Sequence, residues 1–148
     1  LGEKEHWAKR SLWEESTRVP LILAGPGIVK GTSPRAVGLI DLYPTLSELC
    51  GLPKPPQKLE GRSLLPLLKN PKEIWPHAAL TTFHRNDHTL RTERWRYIRY
   101  ANGDEELYDH TKDSHEWNNL AKDEKFTAVL KRFRGQLPEV NAPDSPTR

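Results

Sequence analysis

Three short stretches gather the residue types that do chemistry. His6-Trp7-Ala8-Lys9-Arg10 sets two cations and an imidazole beside an indole, in a polar segment just ahead of the apolar run Val19 to Ala24. Ligands bind at the loops that flank buried strands of α/β sheets, and cations beside an aromatic ring can hold an anionic group; the same charges can equally be solvated surface side chains. His84-Arg85-Asn86-Asp87-His88-Thr89-Leu90-Arg91 carries two histidines and two arginines. It has donors enough for an oxyanion, or it decorates an exposed hairpin. His84, Asp87 and His88 could ligate a metal, but three ligands on one turn without a partner motif make a weak pattern. In Arg94-Trp95-Arg96-Tyr97-Ile98-Arg99-Tyr100, strand alternation sends Trp95, Tyr97 and Arg99 to one face and Arg96, Ile98 and Tyr100 to the other. Such a strand could stack nucleic-acid bases, or pack against its neighbours, which explains the aromatics more simply.

Other catalytic signatures are missing. There is no glycine-rich phosphate loop, no paired cysteine, no nucleophile elbow and no HExxH helix. The lone Cys50, set among Leu49, Gly51 and Leu52, cannot form an internal disulfide and is expected to be a small buried hydrophobe. With 148 residues, 35% of them hydrophobic, the chain suits about one domain. No apolar run approaches the roughly 20 residues that span a bilayer, and the first residues lack the pattern of a secretory signal. The net charge of +3 does not by itself imply a polyanionic partner.

These stretches need elements to position them. Leu21 to Ala24, ending at Gly25-Pro26-Gly27, reads as a strand buried in a sheet covered on both faces. Asp41 is expected to cap a helix over Leu42 to Leu49, in which Leu42, Leu46 and Leu49 recur at helical spacing. From Pro53 to Pro76, six prolines leave room only for a short helix near Ser63 to Leu68, so residues 53–77 form an ordered connector. Four strands follow, at Ala78 to Phe83, His88 to Thr92, Trp95 to Ala101 and Glu105 to His110, the last two joined by the hairpin signal Asn102-Gly103-Asp104. A helix over Asp123 to Leu137 aligns Phe126, Val129 or Leu130, Phe133 and Leu137 on one stripe, and residues 142–148 read as a tail. A lone strand and helix cannot satisfy their own ladder groups. Residues 1–52 are therefore expected to be the end of a larger α/β domain, cut at Leu1, and residues 78–141 a self-contained α+β unit.

Four segments, LGEKEHWAKRSLWEESTRVPLILAGPG, VGLIDLYPTLSELCGL, LEGRSLLPLL and HTLRTERWRYIRYANGDEELYDHTKDSHEWNNLA, run in this order from Leu1 to about Asn141. Together they resemble the C-terminal part of the type I, formylglycine-dependent sulfatases, in particular bacterial iduronate-2-sulfatase-like members. The resemblance implies an alkaline-phosphatase-like fold: the end of a large α/β domain, then an antiparallel four-stranded sheet packed against a helix. It implies hydrolysis of sulfate esters of a sulfated sugar, such as sulfated iduronate, by a formylglycine nucleophile with a calcium ion. The C/S-x-P-x-R motif that yields formylglycine and the family's aspartate, histidine and asparagine metal ligands are absent, so nucleophile and calcium are expected in a missing N-terminal catalytic domain and this stretch alone is expected to be inactive.

Within the resemblance, G-E-x-x-x-W-x-K reads Gly2-Glu3-Lys4-Glu5-His6-Trp7-Ala8-Lys9, which implies that Lys9 is the catalytic lysine that reaches the sulfate. His88 and Arg91, an H-x-x-R element, and His6 and Arg10, which flank Lys9, are implied substrate-binding residues. Tyr108 and Trp117 are expected as core or interdomain anchors. The resemblance also implies a periplasmic or secreted protein, with neither nucleic acid nor membrane as partner. Two rival readings are a phosphodiesterase or phosphonate hydrolase of the same superfamily, and a non-catalytic nucleic-acid-binding module, against which Asp104, Glu105, Glu106 and Asp109 argue.

Overall fold

The structure, a computed structural model, describes residues 2–7 and 10–143. The chain forms two compact units: residues up to Val19 group with those from Leu80 onward, and Pro20–Ala79 form the second. Residues up to Val19 thus join the later sheet, where the sequence suggested a continuous stretch 1–52.

The first unit is built on an antiparallel meander in the order β1 (Ala79–Thr82), β2 (His88–Arg91), β3 (Trp95–Arg99), β4 (Glu105–Asp109), within a residue or two of the expected strands. The β3–β4 turn is the expected hairpin. Gly103 donates to the Tyr100 carbonyl and takes a φ of 96°, a left-handed value that glycine adopts without a Cβ clash.

Strand β3 is the centre of this unit, because both its faces are covered. On one face lies α4 (Thr127–Arg134), preceded by a 3-10 turn at Glu124–Phe126. Tyr97 stacks on Phe133 with ring centroids 5.6 Å apart, and Trp95 meets Phe126 edge-on at 5.7 Å. Helix α4 is shorter than the expected span, but its stripe is the predicted one: Leu130 and Phe133 are buried and Phe126 is half-buried. On the opposite face lies the early segment with its single helical turn α1 (Glu14–Thr17); Leu12 packs with Ile98 and Tyr108, flanked by Trp13 and Tyr100.

The second unit contains α2 (Leu42–Leu49) and α3 (Leu65–Lys69). Two of the motifs meet here. The Asp41 carboxylate accepts the Gly38 N–H at 2.9 Å and the Arg62 N–H at 2.8 Å. Thr45 Oγ1 donates to the Asp41 carbonyl at 2.5 Å and accepts the Leu64 N–H at 2.9 Å. Asp41 therefore ties the loop before α3 to the start of α2 and does not cap α2 with its side chain. The inward residue of α2 is Thr45, whereas Leu46 is 50% exposed.

Three further expectations change. Leu21 to Ala24 form no strand, and Ile22 is 86% exposed, because among the described residues no neighbouring strand supplies ladder partners. Cys50 is exposed where α2 ends. Tyr108 is buried as expected, whereas Trp117, at 57% exposed, is not a core residue of this unit. No helix among the described residues is long and apolar enough to cross a membrane.

Candidate functional site

Lys9, the expected catalytic residue, lies outside the described residues, as does Ala8. What is described is how the chain around them is held. Arg96 projects from β3 beneath the early segment and is almost entirely buried. Its guanidinium donates to the Leu12 carbonyl and to Thr89 Oγ1, each at 3.0 Å, and pairs with the Glu14 carboxylate. Its Nε makes an ion contact of 2.5 Å with Glu116 Oε1, not an aligned hydrogen bond. Arg91 on β2 is the direct pairing partner of Arg96 and donates from Nε to Glu14 Oε2 at 2.9 Å. The Glu14 N–H donates to Glu116 Oε2 at 2.9 Å, which closes the ring of contacts.

His110 completes the cluster, with Nδ1 2.9 Å from Arg91 Nη2 and Nε2 2.8 Å from Glu116 Oε1. A guanidinium can only donate, so Nδ1 accepts and Nε2–H donates to Glu116. Two carboxylates face two guanidinium groups here. Burial alone would raise both acids; for Glu14 the hydrogen bonds from Arg91 and Arg96 overcome it and hold the carboxyl at about 2. Glu116 is likewise lowered, by its His110 hydrogen bond and the Arg96 charge acting against burial.

A second anchor grips the entry of the same segment. Lys4 Nζ donates to Tyr108 Oη at 2.8 Å and lies 4.3 Å and 4.6 Å from the Tyr108 and Trp13 ring centroids. Glu106 accepts from Trp13 Nε1 and Tyr108 Oη, each at 2.7 Å, and from Tyr100 Oη at 3.2 Å. Burial lowers the Lys4 pKa against the pull of Glu106, Glu116 and Asp113. Lys4 and Glu5 take positive φ values of 53° and 57°, a costly conformation for residues with a Cβ.

The expected substrate contacts disperse. His88 and Arg91 are three residues apart on a strand, which puts them on opposite faces. His88 is buried with Nδ1 2.8 Å from Thr82 Oγ1, whereas Arg91 points at Glu14 and His110. His6 is half-buried, edge-on to Trp13 at 5.7 Å, and Arg10 is exposed. The base-stacking reading loses its surface, since Trp95 and Tyr97 are buried against Phe126 and Phe133.

Sequence reasoning missed Glu14, Arg96, His110 and Glu116. A signal existed for Arg96 alone: alternation sends it to the same face as Ile98, and a charge on the covered face of a central strand needs a buried counter-charge. A metal triad of His84, Asp87 and His88 does not assemble among the described residues. The three-ligand group that does, Glu14, His110 and Glu116, has its oxygens already taken by Arg91 and Arg96. These residues do not fit a calcium cage, which needs six to eight oxygen ligands and no cation inside it.

The family model for the C-terminal region of N-sulphoglucosamine sulphohydrolase matches residues 2–143. A sulfatase of Formosa agariphila is 38% identical over 143 residues, 96% of this chain and 28% of the relative. The Delta 4,5-hexuronate-2-O-sulfatase of Bacteroides thetaiotaomicron is 35% identical over 142 residues, 87% of this chain and 29% of the relative. A solved structure from Bacteroides thetaiotaomicron, assigned to the sulfatases by inference, superposes with a TM-score of 0.68 at 35% identity, over 85% of this chain and 30% of that one. The chain thus spans under a third of the length of the proteins it matches. The expected four-stranded antiparallel sheet with a packed helix is the C-terminal part of the alkaline-phosphatase-like sulfatase fold. With the family match running through nearly every element described, the chain belongs to the sulfatases, as a member of the N-sulphoglucosamine sulphohydrolase C-terminal family.

Proposed function

We propose that this chain works as the C-terminal part of a sulfuric ester hydrolase that cleaves sulfate esters of a sulfated sugar, with a 2-O-sulfated uronate as the substrate class. The observation that carries the reading is the family match across residues 2–143, which includes the Gly2 to Lys9 segment; the hexuronate-2-O-sulfatase relative supports the sugar class. In this reading formylglycine and calcium, which supply nucleophile and Lewis acid, belong to residues outside this chain, whose sequence lacks the motif and whose described residues offer no fitting cage. Export to the periplasm or the cell exterior is part of the same reading.

The role of this chain is to supply Lys9. An ammonium held beside the non-bridging oxygens offsets the negative charge that develops as the S–O bond breaks, and it does so best when fixed in place with water excluded. His6 and Arg10 are assigned to the substrate side of the pocket in this reading, whereas His88, buried on the other face of the sheet, is not. Arg91 enters it through Glu14.

The test is turnover by a full-length sulfatase that carries this chain, comparing an aryl sulfate, an aryl phosphodiester and a 2-O-sulfated unsaturated uronate disaccharide. Sulfate release from the disaccharide is expected to dominate. Preference for the phosphodiester would instead establish the phosphodiesterase or phosphonate hydrolase alternative.

A further inference from the structure

The segment between Gly2 and Arg18 is secured at both ends to the sheet. At its exit, Leu12 and Glu14 are held through Arg96, Arg91 and the Glu116 carboxylate. At its entry, Lys4 lies over the Tyr108 and Trp13 rings, whose polar atoms both donate to a Glu106 carboxylate that gathers three donors. An apolar contact such as Leu12 on Ile98 tolerates sliding; hydrogen-bonded charges in a buried site do not, because moving the segment by one residue would strand a guanidinium or a carboxylate away from water. Glu116 itself takes a φ of 60°, so its backbone is held in an unfavourable conformation at the point where its side chain meets Glu14 and Arg96. Glu14, Arg96 and Glu116 are buried and committed to one another.

We propose that Glu14 is a positioning residue for sulfate ester cleavage: through Arg91, Arg96 and Glu116 it fixes the register of the chain from Leu12 to Arg18, the stretch that follows Lys9 in the sequence. This rests on the reading of Lys9 as the sulfate-contacting group. In the sequence Lys9 stands five residues after Lys4 and five before Glu14. A displacement of about 1 Å at a reacting group can cost on the order of 100-fold in rate, so an anchor of this kind is visible in turnover.

The experiment is a double-mutant cycle in the full-length sulfatase that carries this chain, with wild type, Lys9→Ala, Glu14→Gln and the double variant assayed for kcat and KM on a sulfate ester. In parallel, amide hydrogen exchange is followed across residues 2–18 and across the sheet. Glu14→Gln keeps the size and removes the charge. The expected result is a kcat lower by about 10- to 100-fold with KM little changed, and a double variant no slower than Lys9→Ala alone. Exchange should accelerate in residues 10–18 while β3 and β4 stay protected. Losses that multiply in the double variant, or an unchanged kcat in Glu14→Gln, would overturn the positioning role and leave Lys9 standing. Near-normal turnover by Lys9→Ala would remove the reading of Lys9 and the positioning role with it. If Glu14→Gln does not fold, Arg91→Lys, which keeps the charge and loses the fork, carries the same cycle and the same outcomes.

Discussion

Arg96 Nε lies 2.5 Å from Glu116 Oε1, and both side chains are shut off from solvent beneath the early segment. Each charge would be prohibitive alone. Together with Glu14 and Arg91 they form a balanced group that joins β2, β3, the loop after β4 and a segment far away in the chain.

Removing one member should therefore cost much more than removing a surface pair. Arg96→Met leaves the Glu14 and Glu116 carboxylates without their shared cation and is expected to destabilise the first unit by about 3–5 kcal/mol. Arg18→Met removes a pair whose cation is 79% exposed and 3.8 Å away, and is expected to cost under about 1 kcal/mol. Urea unfolding midpoints at constant m-value compare the two.

Acid should loosen the same unit. Glu14 is held at about 2 against 4.5 for a free glutamate, Glu105 at about 2 chiefly by the Arg134 hydrogen bond, and Asp109 at about 2 against 3.8 chiefly by Arg94. In each case the folded value lies below the unfolded one, so the stabilisation is complete above the unfolded value and drains away as pH falls toward the folded one. These carboxylates should contribute a fall in urea midpoint that begins near pH 4.5 and steepens toward pH 2. Glu14→Gln should remove its own share of the slope.

The opposite face of β3 depends on shape. Phe133 is fully buried and stacked on Tyr97, so Phe133→Ala is expected to cost about 3–5 kcal/mol. Tyr97 Oη donates to Glu105 Oε1 at 2.5 Å, and burial followed by that neighbouring carboxylate pushes the phenol up to about 12. The phenol should stay protonated through ordinary alkaline titrations, which absorbance near 295 nm would follow in the wild type and in Tyr97→Phe.

In the second unit the crowding is at a glycine. A Cβ on Gly61 would stand 2.1 Å from the Ile40 carbonyl oxygen, a backbone atom that cannot step aside. Gly61→Ala is expected to cost about 3 kcal/mol, at the upper end of overpacking penalties. Thr45→Val, which leaves the buried Leu64 N–H without its acceptor, is expected to cost about 1–3 kcal/mol. Thermal unfolding of the two variants checks both values.

Much of this architecture is legible in the sequence because its causes are local. Asn102-Gly103-Asp104 makes a hairpin through the φ that glycine allows, and Phe126, Leu130 and Phe133 align on one side of a helical turn whatever lies beneath them. The short helix between the prolines was legible for the same reason, displaced by only one or two residues to Leu65–Lys69. Leu21 to Ala24 looked equally local, yet a strand exists only with partners, and the described chain gives this run none.

The residues 2–18 divide along the same line. Their order in the chain was enough to mark His6, Lys9 and Arg10 as a cationic stretch that resembles a sulfatase motif, since that judgement needs only residue types and spacing. That Glu14 would meet Arg91, Arg96 and Glu116 was not contained in any window of the sequence, because those partners come from β2, β3 and the loop after β4. Charges this far apart in the chain choose one another only when folding withdraws them from water together, and that choice belongs to the tertiary structure.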